Sequence, residues 1–159
     1  MVTRELQNWV WVFGDVGGLR WVLDRATMAF PATAGPRLDA MGHGDLAVLY
    51  VTRTAFNNPT RDVSRLAGLV TVRGTPGHGR PVFIARREFT WTVPIDIDVT
   101  LPERLGPEVY PLVPRLSFVS NKRAWGQYFR TSPRRIESAD FDILAAAVRE
   151  AAAAPPPST

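Results

Sequence analysis

The chain predicts an α+β fold in which strands dominate: a curved mixed sheet closing toward a barrel, flanked by two or three short helices. Three observations lead there. Runs of β-favouring residues recur at 9–13, 46–51, 66–72 and 89–99, rich in Val, Ile, Trp, Phe and Thr. Only two stretches of any length carry apolar residues at helical spacing, 19–26 and 141–148. The remainder is punctuated by 12 Gly and 14 Pro.

The elements follow in order. Met1 to Gln7 is polar and expected to be loose. Trp9-Val-Trp-Val-Phe13 is a continuous apolar run, as expected of a buried strand, and Gly14, Gly17 and Gly18 end it. Leu19, Val22, Leu23 and Ala26 predict a short helix over 19–25. Met28-Ala-Phe-Pro31 breaks out of it as an irregular segment, because Pro31 disfavours helical backbone at Phe30. Gly35-Pro36 is a turn, and Arg37 to Met41 allows one helical turn. Gly44-Asp45 is a turn signal before the strand Leu46–Val51. In the strand Leu66–Val72, Gly68 allows a bulge or the close approach of a neighbour. Gly74 to Gly79 reads as a flexible loop. Phe89 to Val99 alternates in strand fashion and continues past Pro94. Prolines exclude a long helix over 107–114. Ser138 is the expected N-cap of a terminal helix, with Asp140 and Asp142 favouring its dipole and Phe141, Leu144, Ala145 and Val148 forming its packed stripe. One domain over 8–149 with flexible termini at 1–7 and 150–159 is the expected organisation.

Composition bounds the chemistry. Hydrophobic residues make up 45% and charged residues 21%, as in ordinary globular chains. With 0 Cys there are no disulfides or thiolate metal sites, and with 2 His an imidazole metal site is disfavoured. No signal-peptide pattern or transmembrane run is visible, so a cytoplasmic monomer with no membrane association and no cofactor is expected. His43 and His78 both sit in glycine loops, and the sequence holds no nucleophile elbow, Walker loop or dinucleotide fingerprint. Asp96 and Asp98 share one strand face and could hold a metal or act as acid and base. Their alternation with Ile95 and Ile97 favours the plainer reading, two solvent-facing carboxylates. Trp9, Trp11, Trp21 and Trp91 read as packing residues.

The charge pattern is more telling than the net +4. From Val109 to Ile136 there is no Asp or Glu, while Arg115, Lys122, Arg123, Arg130, Arg134 and Arg135 are cationic and Trp125, Tyr128 and Phe129 are aromatic. Bases stack on aromatic faces and phosphates pair with cations, so this pattern suits a nucleic acid. The competing reading is a basic, half-buried edge segment whose aromatics belong to the core.

Several segments together resemble the EVE domain, a branch of the PUA-like superfamily related to YTH and ASCH domains. They are Asn8–Phe13, Met28–Pro31, Gly44-Asp45 with Leu46–Val51, and Leu66–Val72. Most specific is Pro111-Leu-Val-Pro-Arg-Leu-Ser-Phe-Val-Ser-Asn-Lys122 followed by Trp125 and Phe129. The acidic start of the terminal helix fits as well. The resemblance implies a PUA-like mixed β-barrel with a pocket at one mouth, and non-enzymatic recognition of a modified nucleobase in RNA or DNA. Carried onto this chain, the pocket would comprise Gly14, Asp15, Met28, Ala29, Phe30, Phe83, Arg86, Asn121, Lys122 and Trp125. Asp15 would accept from an exocyclic amine and Asn121 would both donate and accept. Lys122 with Arg123, Arg130, Arg134 and Arg135 would grip flanking phosphates. Relatives commonly carry Trp where this chain has Met28, so a thioether replaces one aromatic face. Two other readings stand beside this one: an enzyme acting on nucleotides or nucleic acid through Lys122 or the Asp96/Asp98 pair, and a small-ligand sensor using the same pocket.

Overall fold

The computed structural model describes residues 4–154. Residues 1–3 and 155–159, expected to be flexible, lie outside the described residues. The strands are β1 (Asn8–Phe13), β2 (Thr27–Phe30), β3 (Leu46–Val51), β4 (Arg65–Val72), β5 (Gly77–Ile84), β6 (Arg87–Thr100) and β7 (Arg134–Ile136). The helices are α1 (Val16–Arg25), α2 (Gly35–Leu38) and α3 (Ser138–Ala153). Short 3-10 segments cover Ala32–Ala34, Tyr110–Arg115 and Lys122–Phe129.

The strands form one curled sheet in the order β2-β6-β4-β3-β1-β7, with β5 also paired to β6. β1 and β3 run parallel and every other pairing is antiparallel. The 14-residue β6 curls the sheet, because its first half pairs with β2 and β5 and its second half with β4. Register shifts at Leu49/Tyr50 and Leu69/Val70 add local twist. The result is an α+β half-barrel, the class the sequence predicts.

Strand alternation divides the core in two. Trp9, Trp11, Phe13, Ala47, Leu49 and Val51 pack on one face with α1, β2 and Ile95. Val10, Val48 and Tyr50 pack on the other, with Phe129 and the α3 stripe of Phe141, Leu144, Ala145 and Val148. Each face is apolar, so each needs cover. Helix α3 and the 3-10 segments Tyr110–Arg115 and Lys122–Phe129 cover the second.

Several elements differ from the sequence expectation. Met28 to Phe30 is not irregular: it is β2, and its backbone groups are satisfied by pairing with Trp91 to Val93 before Pro31 ends the strand. Gly77 to Gly79 is not loop but the start of β5, which pairs with β6. Helix α1 starts three residues early, at Val16, because the Asp15 carboxylate accepts from the Gly17 N–H at 2.7 Å and caps it. The N-cap of α3 is Glu137 rather than Ser138, with no side-chain cap bond. Asp140 is buried and accepts from the Ser117 N–H and Oγ–H and the Phe118 N–H at 2.8, 2.7 and 3.2 Å. It fastens that loop to α3, a role the dipole argument did not anticipate.

Arg4 to Gln7, expected to be loose, is tied down by Asp45. This fully buried carboxylate accepts from Arg4 Nη1 and Nη2, the Gln7 N–H, Trp9 Nε1–H and the Gly42 N–H, at 2.7, 2.9, 2.9, 2.9 and 3.0 Å. At the other end, α3 continues past residue 149 to Ala153.

Gly68 marks a close approach, as its place in β4 suggested. A Cβ there would lie 2.3 Å from the Val99 carbonyl oxygen, which is backbone and cannot swing away. Gly68→Ala is therefore expected to cost about 1–3 kcal/mol, by analogy with overpacking. Gly77→Ala, where nothing lies within 4 Å, is the control. Urea titrations of the two variants should separate them, and equal midpoints would refute the steric account.

Candidate functional site

A cavity of about 550 Å³ opens at the end of the half-barrel. It lies where β1 and β3 end, and the chain there supplies Phe13, Gly14, Asp15, Thr52 and Thr54. β2 contributes Met28, Ala29 and Phe30, followed by Pro31 and Thr33. The β5–β6 hairpin contributes Ile84, Ala85, Arg87 and Phe89, and the stretch after the last 3-10 segment contributes Phe129 to Ser132. The volume falls within the range of small-ligand sites.

The walls are apolar and the remaining lining is polar and cationic. Phe30 and Phe129 are almost fully buried behind the surface, while Phe89 is half-buried and can offer a ring face. Strand alternation explains why Ile84, Arg87 and Phe89 reach the cavity: Ile84 pairs with Arg87 and Val82 with Phe89, which sets these side chains on one face of the hairpin. Arg87 lies 5.7 Å from the Phe89 ring. Arg37 donates from Nη2 to the Ser132 carbonyl at 2.9 Å, leaving its other N–H groups available. Arg130 is exposed at the same end. Three arginines and one carboxylate, Asp15, thus line the cavity, and Asp15 already holds the Gly17 N–H.

Six of the residues expected at a site line this cavity: Gly14, Asp15, Met28, Ala29, Phe30 and Arg130. The others do not. Phe83 pairs with Glu88 on the outer face of β5, where it is 72% exposed, because Ile84 takes the inward position. Arg86 is exposed in the hairpin turn, where Ala85 and Arg86 both have left-handed backbone, at φ 50 and 66. Asn121 caps its own 3-10 segment by accepting from the Arg123 N–H at 3.2 Å. Lys122 donates from Nζ to the Leu116 carbonyl at 2.7 Å. Trp125 packs edge-on to Phe129 at 6.1 Å and belongs with the core on the second face, whereas Met28 belongs with the first. The expected pocket shared by Met28 and Trp125 is therefore corrected. A 3-10 segment of the second layer places Trp125 across the sheet from Met28.

The basic stretch also divides. Arg134 lies half-buried over the rings of Phe118 and Tyr128 at 5.0 and 5.7 Å, and its Nε has no hydrogen-bond partner. That geometry is packing rather than a free phosphate grip. Tyr128 in turn holds Ser120 Oγ at 2.8 Å and the Asn121 N–H at 3.0 Å, and these bonds lower its phenol pKa, the Ser120 bond most. Arg123 and Arg135 are exposed and in no ion pair among the described residues.

The other candidates lie elsewhere. Asp96 and Asp98 are exposed, as expected. Asp96 sits 3.5 Å from Arg73, and Asp98 accepts from Thr71 Oγ1 at 2.6 Å. No group of three or more metal-ligating side chains occurs among the described residues. Trp21 packs against the first core under Arg25, and the full-length α1 keeps it out of the cavity. The residues missed by sequence reasoning include Arg37, Arg87, Phe89, Thr33, Thr52, Thr54 and Ser132. For Arg87 and Phe89 the signal was present, as they extend the alternation of β6 toward its start.

No protein-family model matches the chain, and no curated protein matches it in sequence. Solved structures do match. A YTH domain, that of Mmi1 in complex with RNA, superimposes with a TM-score of 0.60 at 12% identity, covering 94% of this chain and 82% of that one. A second structure of the Mmi1 YTH domain gives the same TM-score and identity, covering 94% and 79%. The NMR structure of Rpa0253 from Rhodopseudomonas palustris matches with a TM-score of 0.53 at 15% identity, covering 91% and 94%. At such identities the likeness is one of fold, and the fold of this chain is YTH-like.

Proposed function

We propose that the chain is a non-enzymatic, EVE-like reader that binds a modified nucleobase of RNA or DNA in the cavity at the end of its half-barrel. The carrying observation is the cavity itself: about 550 Å³, walled by apolar side chains, with Arg37, Arg87, Arg130 and a single carboxylate in its lining. A base taken out of its stack needs apolar or aromatic walls, a few polar groups to read its edge, and cations for the adjoining phosphates. Met28 and Phe89 supply the walls. Asp15 and the hydroxyls of Thr33, Thr52 and Thr54 supply edge contacts. The YTH-like fold supports the reading at the level of fold, since one of the neighbouring structures was solved with RNA.

Binding is favoured over catalysis by where the catalytic candidates lie. The Lys122 amine is bonded to a backbone carbonyl, and neither Asp96 nor Asp98 lines the cavity.

Thr33 is exposed at the cavity, so Thr33→Trp should obstruct it without disturbing the core. Fluorescence anisotropy with single strands bearing one modified base, against unmodified controls, provides the test. Wild-type protein should prefer one modification by about five- to hundredfold, the scale of one stacked base. Thr33→Trp should abolish the preference while melting like wild type. Absence of any preference, or its survival in a folded Thr33→Trp protein, would refute the assignment.

A further inference from the structure

A second aromatic surface lies on the 3-10 segments that cover the second core. Tyr110 opens the 3-10 segment Tyr110–Arg115, and Trp125 lies midway along Lys122–Phe129. Their ring centroids are 6.1 Å apart, at an interplanar angle of 49°. Tyr110 is 68% exposed and Trp125 half-buried. Phe118 and Tyr128, the other half-buried rings of this stretch, lie under the Arg134 guanidinium. Among the described residues no guanidinium lies over Tyr110 or Trp125. An exposed Tyr110 beside Trp125, itself half-buried on the second core, leaves aromatic surface for something besides the core to contact.

Charge narrows what that something is. Arg115 ends the first segment and Arg123 lies near the start of the second. Both are exposed, and neither joins an ion pair among the described residues. Flanking carboxylates are occupied: Glu108 faces Arg65 at 3.8 Å, and Asp140 is buried against Ser117 and Phe118. The surface therefore pairs aromatic faces with uncompensated cations, which favours a polyanion carrying planar rings over an ordinary protein partner. The buried Phe129 links the two places from inside: it touches Trp125 edge-on and lines the cavity, as does the next residue, Arg130.

We propose that Tyr110 and Trp125 form a stacking platform for nucleotides of a single strand that lie outside the cavity, with Arg115 and Arg123 meeting their phosphates. The platform rests on the nucleic-acid reading above but not on any base entering the cavity. It makes strand length, rather than base modification, the variable to which these residues respond.

The experiment compares unmodified single strands of about 3 and about 12 nucleotides, within and beyond the reach of one small site. Tyr110→Ala should weaken the longer strand about five- to hundredfold, the scale of one lost stacking partner, and leave the shorter one unchanged. Tyr110→Phe keeps the ring and should keep the affinity. Arg123→Gln should reduce the salt slope of the longer strand by about 0.7 and not that of the shorter. Equal weakening of both lengths, no weakening of either, or loss in Tyr110→Phe would each overturn the platform. A partner protein that Tyr110→Ala releases while strand binding is untouched would overturn it as well. The cavity fails separately: if Thr33→Trp retains a modification preference while the length effect of Tyr110→Ala holds, the platform stands and the cavity assignment falls.

Discussion

Replacing Asp45 with Ala is expected to destabilise the protein by about 2–6 kcal/mol, the cost of leaving two buried N–H donors without an acceptor at about 1–3 kcal/mol each. Five donor groups converge on this carboxylate, and the buried ones among them lose their acceptor without it. Trp9 Nε1–H and the Gly42 N–H lie in buried residues, so they would be left desolvated and unpaired. Asp45→Asn keeps the shape but turns one acceptor into a donor aimed at other donors, so it should rescue only part of the loss. Acid should expose the same contact. Burial alone would push the Asp45 pKa up, but bonds from Arg4, Gln7, Trp9 and Gly42 more than reverse this and hold it below the ordinary carboxylate value. A pKa lowered by folding adds stability that is present above the unfolded value and lost as pH falls through the folded one. Wild-type stability should therefore drop more steeply than that of Asp45→Asn below about pH 4. Parallel urea midpoints for the two proteins across that range would contradict the account.

The second large effect concerns salt. Arg37, Arg87 and Arg130 all line the cavity, and phosphates bound there would release counterions. Changing all three to Gln should lower the log–log salt slope for a single strand by about 2, at about 0.7 per contact. Raising salt fourfold should then weaken wild-type binding about twentyfold more than that of the triple variant. Arg134→Ala should behave differently. Its guanidinium covers two rings, so the expected loss is thermal stability, with the slope nearly intact. An unchanged slope in the triple variant would remove these arginines from any phosphate contact.

The sheet was legible where alternation and composition agreed. β3, β4 and the long β6 combine β-favouring residues with a burial pattern written in their order, and Pro94 did not interrupt β6. β5 was hidden because Gly-His-Gly-Arg-Pro is loop chemistry, and five of its first residues face solvent. β2 was hidden because four residues before a proline carry too little period. Of the cavity, Gly14 and Asp15 just after β1 and the residues on β2 were placed by the EVE resemblance. Trp125 was misplaced because a 3-10 segment has no strong face in sequence, and nothing local says which side of the sheet it covers. Lys122 shows the same limit from the charge side: a cation in an acid-free stretch found a backbone carbonyl six residues away instead of a ligand.

The place of β1 between β3 and β7 bears on how the chain is made. β1 pairs along one edge with residues 46–51 and along the other with residues 134–136. A ribosome therefore releases Trp9-Val-Trp-Val-Phe13 long before its second edge can be covered. Such a run, β-favouring and uncharged, is a template for pairing with other chains while it waits. The closing step also joins segments far apart in sequence, which slows it. Cells that translate this protein quickly or in the heat should accumulate it in aggregates, and any chain cut short before Arg134 should aggregate outright, even with the whole cavity wall up to Ser132 already synthesised.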